Sequence, residues 1–221
     1  MLGTSLGSFF WLSLFYIYLK YTLNANLDAV FFVIVLIFMY GMNVAIQKSK
    51  CSSTNSAVFT ATFLPWCLMF GPLLACLTLF PEWKKPFSNT FGYLVARMAG
   101  GTKALTDLLI PEKPLQYVYD DPSLMINQFT PSNFDEMYAS LKDVLQDTDK
   151  KEAFRSIVRL KDLVSEWIWY LLGGSVAISS SYSILMNADC TQSPDDYMQS
   201  HQIAMATDED KPNPTIYTLT E

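Results

Sequence analysis

Nucleophilic catalysis built on histidine needs an imidazole held within hydrogen-bond reach of a serine or cysteine. This chain of 221 residues has a single histidine, His201, in a polar C-terminal stretch. Asp120-Asp121 and Asp195-Asp196 are pairs of the type that performs acid/base work or holds a hard cation. Adjacent acids are also common in solvated turns. Gly100-Gly101-Thr102-Lys103 is too short to cradle a phosphate, and no dinucleotide-binding glycine pattern occurs. Cys51, Cys67, Cys76 and Cys190 lack metal-ligand spacing, and two of them fall in apolar runs. The residues thus offer no catalytic, cofactor-binding or metal site, and the expectation is a protein that is not an enzyme.

The elements that would position any such residues read as membrane helices. Hydrophobic residues make up 51% of the chain, and they are concentrated in segments nearly free of Lys, Arg, Asp and Glu. Leu2 to Leu19 is uncharged, is closed by Lys20, and matches the roughly 20 helical residues that cross about 30 Å of hydrocarbon. A cleaved signal peptide is the competing reading, but a basic leading region and a small-residue cleavage site are both missing. An in-plane interfacial segment is the other alternative. Span two, 29–46 between Asp28 and Lys48, is the most apolar segment, and a soluble fold of this size has no means of wrapping it. A short polar turn then makes span three, 57–80, its antiparallel partner. Pro65 and Gly71-Pro72 predict a kink there that a neighbouring helix must satisfy.

Residues 81–165 carry both charge signs interspersed and predict a mostly helical polar domain outside the bilayer. Trp83, Lys84 and Lys85 suit a membrane-interface anchor. A short helix is expected over 87–99, ended by Gly100-Gly101. Residues 111–131 read as loop, and further helices are expected over 133–145 and from a cap near Thr148 or Asp149. The last of these has no Pro or Gly before span four, 167–186, and is expected to run straight into it. Span four opens with Trp167 and Trp169 at an aromatic belt. Gly173, Gly174, Ala177 and Ser181 keep one side small enough for close helix packing. The whole predicts an all-α membrane protein: three transmembrane helices within 1–80, a polar domain over 81–165, a fourth span over 166–186 and an acidic tail over 187–221.

Four spans place the N-terminus, the 47–56 turn and the tail on one side, and residues 20–28 and the polar domain on the other. Lys20, Lys84, Lys85, Arg159 and Lys161 outnumber Lys48 and Lys50 near the membrane, a bias that puts the domain in the cytosol. Cys51 and Cys190 then share the lumenal side and are candidates for a disulfide. The net charge is −6 and the tail holds seven acids against Lys211, which disfavours nucleic acid as a partner.

Two stretches add a resemblance. Trp83-Lys-Lys-Pro-Phe-Ser-Asn-Thr-Phe-Gly-Tyr-Leu-Val95, and Ile184-Leu-Met-Asn-Ala-Asp-Cys190 with Ser193 and Met198-Gln-Ser-His201, resemble segments of membrane-anchored minor capsid proteins of large icosahedral double-stranded DNA viruses such as the chlorella viruses. The resemblance implies a structural role: helices anchored in a virion's internal, endoplasmic-reticulum-derived membrane while residues 81–165 contact the capsid shell or another scaffold. The residues leave open a homo- or hetero-oligomer. They also leave open a transporter or channel subunit, with Pro65, Gly71 and Ser179 to Ser181 as its site, and a membrane-remodelling or fusion protein using the apolar N-terminus.

Overall fold

The computed structural model describes residues 2–51, 57–110, 120–146, 150–188 and 190. Helix α1 covers Leu2–Leu23 and α2 covers Asp28–Cys51. Asn24, in the left-handed region at φ 51°, breaks the run between them, and the Asp28 N–H donates to Asn26 Oδ1 (3.1 Å) as α2 begins. Span three, α3, is Ala57–Leu79, and its expected kink takes a specific form. Pro72 offers no N–H to the Leu68 carbonyl and crowds it. The helix absorbs the mismatch as a π-helical turn, Trp66–Phe70, in which Gly71 N–H reaches back to the Trp66 carbonyl.

Residues 81–98 form one bent helical run, α4, containing a 3-10 turn at Pro81–Lys84, a π-helical turn at Ser88–Gly92 and a last segment at Tyr93–Met98. Gly100 ends it at φ +90°, a conformation that suits glycine. Three short helices follow, α5 (Gly101–Thr106), α6 (Ser123–Ile126) and α7 (Phe134–Ser140). The stretch expected as loop therefore holds a helical turn at α6, and the helix expected over 133–145 is shorter. Residues 111–119 and the expected cap at Thr148 or Asp149 lie outside the described residues. The chain ends its described course in α8, Lys150–Asn187, 38 residues long and about 57 Å at helical rise.

The described residues contain no β-strand, only an isolated bridge between Leu109 and Leu145. Four helices, α1, α2, α3 and α8, are long and apolar enough to cross a membrane. Their inner faces form one apolar core around Phe9, Phe31, Trp66, Phe70, Tyr170 and Ala177. Their outer faces expose large apolar side chains, including Trp11, Ile37 and Leu68 at 66–69%, which suits hydrocarbon as the surrounding solvent. A second core, around Leu105, Ile126, Phe129, Phe134, Phe154 and Val158, is built from α5, α6, α7 and the first third of α8. One helix thus contributes side chains to both cores.

Candidate functional site

Ionisable groups gather where the last turn of α1, the first turn of α2 and the middle of α8 meet α4. Lys20 near the end of α1 pairs with Asp28 at the start of α2 (2.9 Å) and with Glu166 of α8. Lys84 of α4 pairs with Asp162 and lies 3.6 Å from Glu166. These five side chains are only 5–14% exposed. Tyr16 donates to Asp28 Oδ1 (2.6 Å), and the Tyr170 hydroxyl is within reach of both Asp28 (3.0 Å) and Glu166. Having one proton, it donates to one carboxylate at a time. Two lysines face three carboxylates, and Arg159 donates to the Lys20 carbonyl beside them. Burial presses the Lys84 ammonium down, but the carboxylates of Asp162 and Glu166 outweigh it and hold its pKa above the ordinary lysine value.

The network lines a cleft of about 630 Å³ walled by the 24–26 turn, Thr78, Pro81, Pro131 and α8 residues Glu152 to Glu166. Lys20, Asp28, Lys84, Asp162 and Glu166 pair with one another, an arrangement that ties α1, α2, α4 and α8 together. Among the described residues, no three His, Cys, Asp or Glu side chains come together in a way that could hold a metal ion. Glu166 touches both lysines and Tyr170. Glu166→Gln is therefore expected to lower stability by on the order of 2–3 kcal/mol, below the 3–5 typical of an orphaned buried ion because each lysine keeps a second carboxylate. Thermal unfolding in detergent reads this, and an unchanged midpoint would mean the network does not hold the helices together.

The residues expected to anchor the membrane interface divide. Trp83 is exposed, and its carbonyl accepts the Trp169 indole N–H (2.9 Å). Lys85 is half exposed and pairs with Glu82. Lys84 instead turns inward to the network, because Asp162 and Glu166 wait one α8 turn apart beside it. Trp167 packs on Phe10 and donates to Ser13 Oγ (3.1 Å) on α1.

The small residues of span four meet different neighbours. A Cβ on Gly174 would overlap the Phe9 ring of α1, and one on Gly173 would overlap the Leu73 side chain of α3. Ala177 is fully buried. Ser181 donates to the Ala61 carbonyl (2.6 Å) and accepts from Asn43 Nδ2 (2.7 Å), which also donates to Thr62 Oγ1 (2.8 Å). This amide, the middle of a three-helix hydrogen-bond cluster, was not picked out from sequence, although an Asn inside the most apolar span was a signal for it. Of the serine run, Ser181 is committed to this cluster and Ser180 contacts Met69.

At the opposite end from the ionic network, Cys51 and Cys190 are joined by a disulfide, with their Cα atoms 5.2 Å apart. Lys50 Nζ donates to the carbonyls of Leu185 (3.1 Å), Met186 (2.8 Å) and Ala188 (2.6 Å), a cation placed on the orphan acceptors of a helix C-terminus. Cys67 and Cys76 are free thiols on α3. Of the carboxylate pairs, Asp121 accepts the Ser123 N–H (3.0 Å) at the start of α6, a local turn contact. Asp195-Asp196 and His201 lie outside the described residues. Comparison with protein-family models, curated proteins and solved structures finds no match for this chain.

Proposed function

We propose that this chain is a structural membrane anchor: α1, α2, α3 and the latter half of α8 sit in a bilayer, and residues 81–165 are displayed from it to bind a protein scaffold. The observation that carries the reading is the uninterrupted α8, which lends Phe154 and Val158 to one core and Tyr170 and Ala177 to the other. A load on the displayed part is delivered directly to the bundle through such a helix. The paired carboxylates and lysines of the junction support holding in place over turnover. The disulfide supports an oxidising, lumen-like compartment at the Cys51 end, which leaves the displayed part on the cytosolic side, as the lysine bias does.

The resemblance to minor capsid proteins makes the scaffold an icosahedral shell and the bilayer a virion's internal membrane derived from the endoplasmic reticulum. Detergent stripping of purified particles tests this. The chain is expected to remain with the shell after lipid is removed, and complete release with the lipid fraction would overturn the scaffold link. The same chain in proteoliposomes is expected to give no solute flux.

A further inference from the structure

We propose that α4 lies against the bilayer surface, with Trp83, Phe87, Phe91, Leu94 and Met98 sunk at the boundary of headgroups and acyl chains, giving the chain an in-plane lipid contact besides its four spans. One face of α4 is already committed. Ser88, Gly92 and Ala96, four residues apart, are all buried, and a Cβ on Gly92 would overlap the Lys161 carbonyl oxygen of α8. With that small face seated on α8, the large apolar side chains must point away, leaving Phe91 and Leu94 about half exposed and Met98 81% exposed.

The occupant follows from continuity. Leu79 and Phe80, at the end of span three, are 70% and 55% exposed, and Trp83 carries the same surface onto α4 at 51%. Phe87 and Trp83 rest on the Trp169 ring at 5.0 and 6.5 Å, within the aromatic belt of span four. The apolar strip is thus an extension of a surface the spans already present to lipid. Arg97 and Lys103 are exposed and make no ion pair among the described residues, the cationic flank that in-plane helices turn to headgroups.

This rests on the membrane placement proposed above, and the test separates the two. Full-length chain with Cys67→Ser and Cys76→Ser, and the disulfide intact, is labelled with a fluorophore at Phe91→Cys or Met98→Cys. It is reconstituted in phosphatidylcholine–phosphatidylserine vesicles and read by quenching from doxyl-labelled lipid. Ile37→Cys reports lipid and Asp121→Cys reports water. Labels at 91 and 98 are expected to quench about twofold or more above the water reference. If Ile37→Cys quenches while 91 and 98 match Asp121→Cys, the strip faces water or a protein partner and the proposal falls alone. If Ile37→Cys does not quench, the membrane placement falls with it.

Discussion

Replacing Lys161 with methionine is expected to stabilise the folded chain at neutral pH and to abolish a rise in stability on going alkaline. Lys161 is fully buried between α8, α4 and α6. Among the described residues its ammonium meets only Asn89 Oδ1 and the Ile126 carbonyl, both at 3.3 Å. The nearby carboxylate of Asp162 is drawn to Lys84, and Lys85 adds a like charge. Burial therefore pushes the Lys161 pKa down to about 8 from the ordinary 10.5, with Asp162 opposing and Lys85 assisting. Below pH 8 folded and unfolded chains are both protonated at this position, and the burial penalty is fully present. Between about 8 and 10.5 the unfolded chain holds more protons, so stability climbs with pH, by about 3 kcal/mol in all. Methionine keeps the length and apolar stem and carries no charge. Detergent unfolding of both forms from pH 7 to 10.5 checks this: the gap is expected to favour the Lys161→Met chain at pH 7 and to close as pH rises. A loss of stability in Lys161→Met, with no alkaline slope in the parent, would show that Asn89 and Ile126 fully compensate the charge.

Gly174→Leu is expected to disrupt the bundle, while Gly173→Ala is expected to be nearly silent. Both glycines face neighbours closer than any Cβ allows, but the neighbours differ. The Phe9 ring beside Gly174 is locked edge-on against Phe70 at 5.7 Å and tilted on Trp66 at 5.4 Å, inside the core and 1% exposed. Moving it disturbs two further aromatic rings. Overpacking of this kind costs about 1–3 kcal/mol for modest insertions and more for a whole Leu. Beside Gly173 the intruding atom is the Leu73 Cδ2 methyl, the free end of a partly buried side chain that swings aside. The helix propensity gained by Gly→Ala, about 1 kcal/mol, offsets that shift. Helix association, read by thermal unfolding and by yield of monodisperse protein in detergent, should separate the order Gly173→Ala, Gly174→Ala, Gly174→Leu. Equal tolerance of all three would mean the α1 and α8 backbones are not held in close contact.

The long helices were legible because an uncharged run of membrane length leaves few alternatives, and the continuity of α8 was legible because nothing in its sequence breaks it. The kink of α3 was signalled by Pro65 and Pro72, but its π-helical form depends on the Gly71 N–H reaching back five residues to the Trp66 carbonyl. The ionic network was not legible as a unit. Lys20, Asp28 and Glu166 each look like ordinary flanking charges, and only the packing of α1 on α8 brings groups 146 residues apart into contact. Lys84 was misleading for the same reason, since a lysine after an apolar span suggests the water interface until Asp162 is found beside it. Local pattern fixes where a helix lies, while the pairing of its end charges is a property of the assembled bundle.

The sulfur bridge makes a closed ring of the backbone from Cys51 to Cys190, 139 positions around, and α3, the second core and α8 are all threaded on it. A single cut anywhere in that circuit opens the ring without dividing the molecule. A pull on whatever follows residue 190 is likewise diverted: it passes across the bridge into α2, beside the Lys50 clamp, and spares the last turn of α8 from unwinding.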